Sequence, residues 1–242
     1  MKKTILLVLA ISCSLLTFAQ KSYTINGVVE DKALNNTTVY LYEYDDLLSS
    51  VDDFLKENMT VIDSTQVKNN KFKFTNKVPK DNPVLCLLYV PAMKYPFQVA
   101  LEPGTIEVEI LKGGDTVPYY STLKGTSVNN DLDEYLLKTI REITKLSNEM
   151  QASSDADKFQ EIIEILTKVS TDLRTNTSLL VNKYIDKKPL GEQLLFTFFE
   201  LLEKEDLDAI KSKLSKETLD KLNEKQTMME SQLESLSFLI LK

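Results

Sequence analysis

VPYYSTLKGTSVNNDLDEYLLKTI, residues 117–140, is where the chain changes its grammar. Ahead of Gly125 the residues are Val, Tyr, Ser, Thr and Leu in a short run that reads as a strand, Val117 to Leu123. Behind it, Leu132, Tyr135, Leu136 and Ile140 recur at helical spacing and continue to Ile143 and Leu146, with Asn129-Asn130-Asp131 placed as the expected helix cap. One glycine thus separates a period of two from a period of 3.6.

Working outward towards the N-terminus, the residues from Gln20 to Thr126 hold five of the six glycines, six of the seven prolines and twelve of the twenty Phe and Tyr. Gly and Pro punctuate turns and the aromatics favour strands, so this half is read as β. Eight strands are expected: Ser22–Glu30, Thr37–Tyr44, Met59–Val67, Lys71–Lys77, Val84–Val90, Tyr95–Leu101, Thr105–Leu111 and Val117–Leu123. Asn69-Asn70 supplies a short turn between two of them, and Glu102-Pro103-Gly104-Thr105 a tight one in which Gly104 takes a positive φ. Short strands at near-regular spacing predict an antiparallel sandwich or a partly closed barrel. Asp45–Lys56 interrupts the rhythm and is expected to carry a short helical turn.

Outward in the other direction the pattern stays helical. Phe159, Ile162, Ile163, Leu166, Val169 and Leu173 mark one long helix reaching Leu180 and Tyr184. Pro189-Leu190-Gly191 resets the chain before Leu194, Leu195, Phe198, Leu201 and Leu202, and helices over 207–214 and from 216 to about 241 follow. Phe238-Leu239-Ile240-Leu241 is apolar all round, which suits docking on the other helices or an interface with a partner. The expected fold class is α+β, with a β domain over residues 20–127 and a helical bundle over 128–242.

Residues 1–19 read as a secretory signal peptide: Lys2-Lys3, an apolar run to Phe18, small residues at Thr17 and Ala19, then polar Gln20-Lys21-Ser22. Cleavage is expected between Ala19 and Gln20. The apolar run is shorter than the roughly 20 residues that span a bilayer, so no transmembrane span is expected in the mature chain. Cys13 offers an alternative, because Ala10-Ile11-Ser12-Cys13 loosely resembles a lipobox whose thiol would be acylated. Ala at the first position and the apolar run beyond Cys13 argue against it. Export to the periplasm or cell envelope of a Gram-negative bacterium is the expectation, with lipid anchoring through Cys13 as the alternative.

Composition excludes several chemistries. The 242 residues contain 29 basic and 36 acidic side chains, two Cys and no His, for a formal charge of -7. Without His there is no Ser-His-Asp or Cys-His pair. Two Cys build no zinc site, and no CxxC occurs. An acidic balance argues against nucleic acid, which is bound through clustered Lys and Arg. Cys86 lies in the apolar run 84–90 and is expected to be an inert core residue. Asp45-Asp46 and Asp52-Asp53 lack the spacing of a calcium loop, and Gly113-Gly114 lacks the lysine of a phosphate loop and reads as a hairpin turn. Ser212 is placed on an exposed helix face, without a base. Ser64 and Thr116, in Asp63-Ser64-Thr65 and Asp115-Thr116-Val117, resemble a short O-glycosylation acceptor; strand packing is the simpler role for Ser64. Neither a catalytic residue nor a cofactor or metal ligand is expected.

Several stretches in a fixed order carry a resemblance: TINGVV at 24–29, Val39-Tyr40-Leu41, Asp63–Val67 followed by Lys71–Phe74, FQVALEPG at 97–104, and Lys124-Gly125-Thr126 with Asn129. They resemble the N-terminal domain of unknown function that precedes the thioredoxin-like module of exported AhpC/TSA and TlpA-type thiol–disulfide oxidoreductases. Tyr184-Ile185 with Pro189-Leu190-Gly191 is similar to the helical linker of those proteins, so the resemblance covers roughly 23–225. It implies a fold and a compartment. It implies no activity, because the family's CxxC is absent from this sequence. The expected function is a non-catalytic binding or accessory module of the envelope, with a protein partner for which the resemblance suggests a thioredoxin-like oxidoreductase. Two alternatives stand beside it. One is the front part of a truncated or split thiol–disulfide oxidoreductase. The other is a ligand or glycan binder using Tyr40, Tyr42, Tyr44, Tyr119 and Tyr120.

Overall fold

The computed structural model describes residues 21–43, 60–78, 82–93, 96–114, 117–153 and 155–240, without the side chains of 229–240. Eight strands occur among them: β1 Ser22–Val29, β2 Thr38–Glu43, β3 Thr60–Gln66, β4 Lys71–Lys77, β5 Val84–Tyr89, β6 Phe97–Leu101, β7 Gly104–Lys112 and β8 Tyr119–Lys124. They form two four-stranded sheets, ordered β4-β1-β7-β8 and β3-β2-β5-β6. Neither closes into a barrel, which removes that alternative.

The sheets are not wholly antiparallel either. β1 and β7 run parallel, Ile25 beside Ile106 and Val29 beside Ile110, while β1 pairs antiparallel with β4. The correction has a simple cause: β1 and β7 are separated by the whole second sheet, and so long a connection permits parallel pairing that a hairpin forbids. Asn69 and Asn70 both take positive φ (53° and 62°) in the turn before β4, a conformation Asn tolerates through local side-chain bonds. Gly104 has φ 129° and Gly125 φ 105°; a Cβ on Gly125 would lie 2.2 Å from the Thr105 carbonyl oxygen, so only glycine fits where the chain leaves β8.

Each sheet turns an apolar face inward. Tyr23, Ile25, Phe72, Phe74, Ile106 and Val108 from the first meet Val39, Leu41, Cys86, Leu88, Val99 and Leu101 from the second in one buried cluster. Period-two alternation explains these faces. β5 breaks it, since Val84 to Leu88 are all buried. Its second face lies against the helical half, which contributes Leu180, Val181, Leu190, Leu194 and Leu195 to the same cluster.

The helices are α1 Ser127–Leu132, a π turn over Asp133–Leu137, α2 Lys138–Ala152, α3 Ala156–Tyr184, α4 Leu190–Phe198, α5 Lys204–Lys211 and α6 Lys216–Ile240. Asp155 caps α3 by accepting from Asp157 N and Lys158 N. Tyr184 donates its hydroxyl proton to Asp131, which also meets Lys183 at 2.6 Å, and this ties the end of α3 to α1. Among the described residues no helix is long and apolar enough to cross a membrane.

Two expectations at the start of the helical half are corrected. The helix opens at Ser127, with Thr126 at the cap position, and Asn129 is buried inside it instead of capping it. The π turn then inserts extra arc into the 3.6 period. The buried stripe passes to Thr139 and Thr144, and Ile140, expected in the core, is 37% exposed.

Candidate functional site

On one side of the molecule β6 and β8 are the edge strands of their sheets. An open edge leaves backbone N–H and C=O groups without partners, and here helix side chains take them. Asn129, fully buried, accepts from Ala100 N (3.0 Å) and donates to Ala100 O (2.8 Å) and to Thr126 Oγ1 (2.8 Å). Glu102 accepts from the Val128 and Asn129 backbone amides at the opening of α1. On the other side of β5, beyond the last described residue of β2, Gln193 of α4 accepts from Leu85 N (2.7 Å) and donates to Leu85 O (3.4 Å). Leu85 and Ala100 are cross-strand partners, so one residue pair is held from both sides by buried carboxamides of two different helices.

The β8 edge is held by charge. Asp133, in the π turn, accepts from Leu123 N (3.0 Å) and receives both arms of the Arg141 guanidinium (2.7 and 2.9 Å), while Arg141 also donates to Ser121 O (2.9 Å). The ion pair is four-fifths buried on both partners and bidentate, the strong form of such pairs.

Between these two seams the edges stand apart and a cleft of about 220 Å³ opens. Phe97 and Gln98 of β6 form one wall, Tyr119, Tyr120 and Ser121 of β8 a second, and Leu137, Ile140 and Arg141 a third. Met93, Pro96, Val117, Pro118 and Thr144 complete it. The lining is apolar except at few points. Tyr119 is occupied: its hydroxyl donates to Asp31 Oδ2 (3.0 Å), and burial with that contact raises its pKa. Asp31 is held below the usual carboxylate range by the Ala33 amide and the Tyr119 hydroxyl. Ser121 is not occupied: 4% exposed, its Oγ has no hydrogen-bond partner. A wider open groove continues past Tyr120, Arg141 and Thr144 towards Lys145 and Asn148.

The residues singled out from sequence are scattered. Cys13, Ala19, Gln20, Thr116, Tyr44, Asp45-Asp46 and Asp52-Asp53 lie outside the described residues. Ser64 is exposed on β3, where its amide donates to Asp63 Oδ1. Cys86 is buried in the core. Gly113 donates its amide to Pro118 O across the β7–β8 turn, and Ser212 sits exposed at the end of α5. The tyrosine set divides: Tyr119 and Tyr120 line the cleft, whereas Tyr40 and Tyr42, with ring centroids 5.9 Å apart, belong to β2 in the other sheet. Ser121 and Arg141 carried no signal in the sequence, since a serine in a strand and an arginine on a helix are ordinary. Among the described residues no group of three or more Cys, Asp or Glu is placed to hold a metal ion.

Fold and site together describe an α+β protein with two facing four-stranded sheets, helices across one edge and a small apolar cleft at the seam. Residues 23–132 match the family model described as Domain of unknown function (DUF4369). That range runs from the second residue of β1 to the end of α1, so Glu102 and Asn129, in the stretches 97–104 and 124–129, meet in the polar joint inside it, while Gly125 donates its amide to Asn130 Oδ1. No curated protein and no solved structure matches the chain.

Proposed function

We propose that this chain is an exported, non-catalytic binding module of the bacterial cell envelope, with the cleft between β6, β8 and α2 as its binding site. The observation that carries the reading is the cleft itself, a preformed and mostly apolar hollow at the seam of the two sheets. Binding rather than catalysis is supported at Ser121, because a serine nucleophile needs an adjacent base and this hydroxyl has no hydrogen-bond partner. Export is supported by the layout of residues 1–19. A thioredoxin-like oxidoreductase as protein partner of the whole chain is supported by resemblance alone.

The test is made in the native host. A photo-crosslinking amino acid at Ile140, exposed on the cleft rim, should give an adduct readable by mass spectrometry, on a protein recovered from the envelope with Gln20 as its first residue. Recovery from the cytoplasm with Met1 retained would sink the export reading. An envelope protein whose position 140 captures nothing would sink the binding site.

A further inference from the structure

We propose that a second hollow, a polar pocket of about 320 Å³ between the π turn, α2 and α3, is a binding site for a short aliphatic diamine. It uses a different face of α2 from the cleft and does not depend on it. Three carboxylates and one ammonium line it. Glu134, Lys138 and Glu142 recur at every fourth residue through the π turn and α2, and Asp172 comes from α3. Among the described residues none of these four side chains makes an ion pair. Lys183 stands nearby, 5.8 Å from the centre of the Tyr135 ring, and Glu134 contributes to its raised pKa, but its ammonium is already held by Asp131 at 2.6 Å. Three carboxylates against Lys138 therefore leave two negative charges uncompensated in the pocket.

Acidic residues alone describe a solvated surface; a buried hydroxyl makes this a site. Thr139 is 7% exposed, lines the pocket, and its Oγ1 makes no hydrogen bond. Helical threonines commonly donate to the carbonyl four residues back, as Thr167, Thr171, Thr175 and Thr177 of α3 do. For Thr139 that carbonyl belongs to Tyr135, inside the π turn, and the bond is not made. Nor is its oxygen sealed, unlike the unpaired hydroxyls of Tyr23 and Ser121, so it opens on the pocket it lines.

The ligand class follows from how the charge is spread. Among the described residues no three carboxylates are placed to hold one metal ion, so the matching positive charge is itself divided. An ammonium group donates three hydrogen bonds and accepts none. Besides the carboxylates, acceptors are available on Thr139, on the Asn176 carboxamide, and on Thr175, whose own proton goes to Thr171 O. Val169 and the Tyr135 ring give the methylenes apolar surface. A cavity of about 150 Å³ accepts benzene, so one about twice as large holds a chain of about four carbons with its two ammonium groups. An anion would meet three carboxylates and one cation.

The probe is 1,4-diaminobutane, titrated into the full chain at about 20 mM ionic strength and followed by calorimetry and NMR, with butylamine, calcium and succinate as comparators. Saturable binding in the millimolar range or tighter is expected, about fivefold tighter than that of singly charged butylamine. Glu142→Gln and Asp172→Asn should each weaken it about fivefold, and Thr139→Val about threefold. Lys138→Met should tighten it about threefold by removing the resident cation, a gain that a damaged fold would not give. Glu164→Gln takes the same charge from an exposed position of α3 outside the pocket and should leave the affinity unchanged. Absence of saturable diamine binding, equal affinity in Asp172→Asn or Thr139→Val, or weaker binding by Lys138→Met would each overturn the proposal. So would an equal loss in Glu164→Gln, which would make the attraction a property of the whole acidic surface, or tighter binding of calcium or succinate.

Discussion

Tyr23 shows what the core asks of a single residue. Its ring is buried between the sheets and its hydroxyl has no hydrogen-bond partner, so burial, with Asp63 and Cys86 nearby, pushes its pKa from about 10 up to about 12. Folding therefore favours the protonated phenol. The contribution is complete below pH 10 and falls as pH rises from about 10 to about 12, where the unfolded chain loses the proton first. Tyr23→Phe removes the unpaired hydroxyl while keeping the ring; urea unfolding should find it at least as stable at pH 7, by up to about 1 kcal/mol, and less sensitive to pH between 10 and 12. A loss of stability at pH 7 would show that the hydroxyl is satisfied after all.

The elements are joined by side chains that stand in for backbone. Asn129→Ala and Gln193→Ala each strip a buried edge of its partner and should cost about 1–3 kcal/mol, read as a lower urea midpoint at unchanged m-value. Both act on the Leu85–Ala100 pair, so the double variant should depart from additivity. A sum within about 0.3 kcal/mol would mean that the seams act independently. At the α4–α6 junction, Glu192 meets Lys188 at 2.6 Å and accepts from the Thr218 hydroxyl. Burial alone would raise its pKa, but these partners win and hold it below the usual value of about 4.5. A depressed carboxyl gives stability that is present above its unfolded pKa and lost as pH falls through the folded one. Acid unfolding below about pH 4.5 should be shallower in Glu192→Gln, whereas an unchanged acid limb would remove Glu192 from that role.

Across the whole molecule the β half and the helical half share one core. A fragment ending at residue 127 keeps the strands but loses Asn129, the amides that Glu102 accepts from, and the helical cover on β5. It should be recovered aggregated or without a dispersed NMR spectrum; a well-dispersed monomeric fragment would show that the strands suffice. At the other end, deletion of 237–242 removes the apolar end of α6 and should lower the melting temperature or abolish association in gel filtration. If neither changes, that end neither docks nor binds.

Much of the architecture was legible because it is local. Strand-favouring residues between Gly and Pro turn signals placed all eight strands near their observed ends, and the helical period found the 156–184 helix, since turn chemistry and side-chain direction follow from backbone geometry a few residues at a time. The tight turns at Asn69-Asn70 and Gly104 were readable for the same reason. What only tertiary structure decided is non-local. The parallel pairing of β1 with β7 depends on which strands end up side by side, not on either strand's pattern. The π turn rotates α2 so that Arg141 reaches Asp133 and Ser121 O while Ile140 turns to the rim, a shift that no 3.6-residue period contains. Asn129 reads as a cap by type, yet the open edge of β6 takes it as a backbone substitute. The cleft exists because two sheet edges and one helix fail to close at Ser121, and a gap between three elements has no sequence signature of its own.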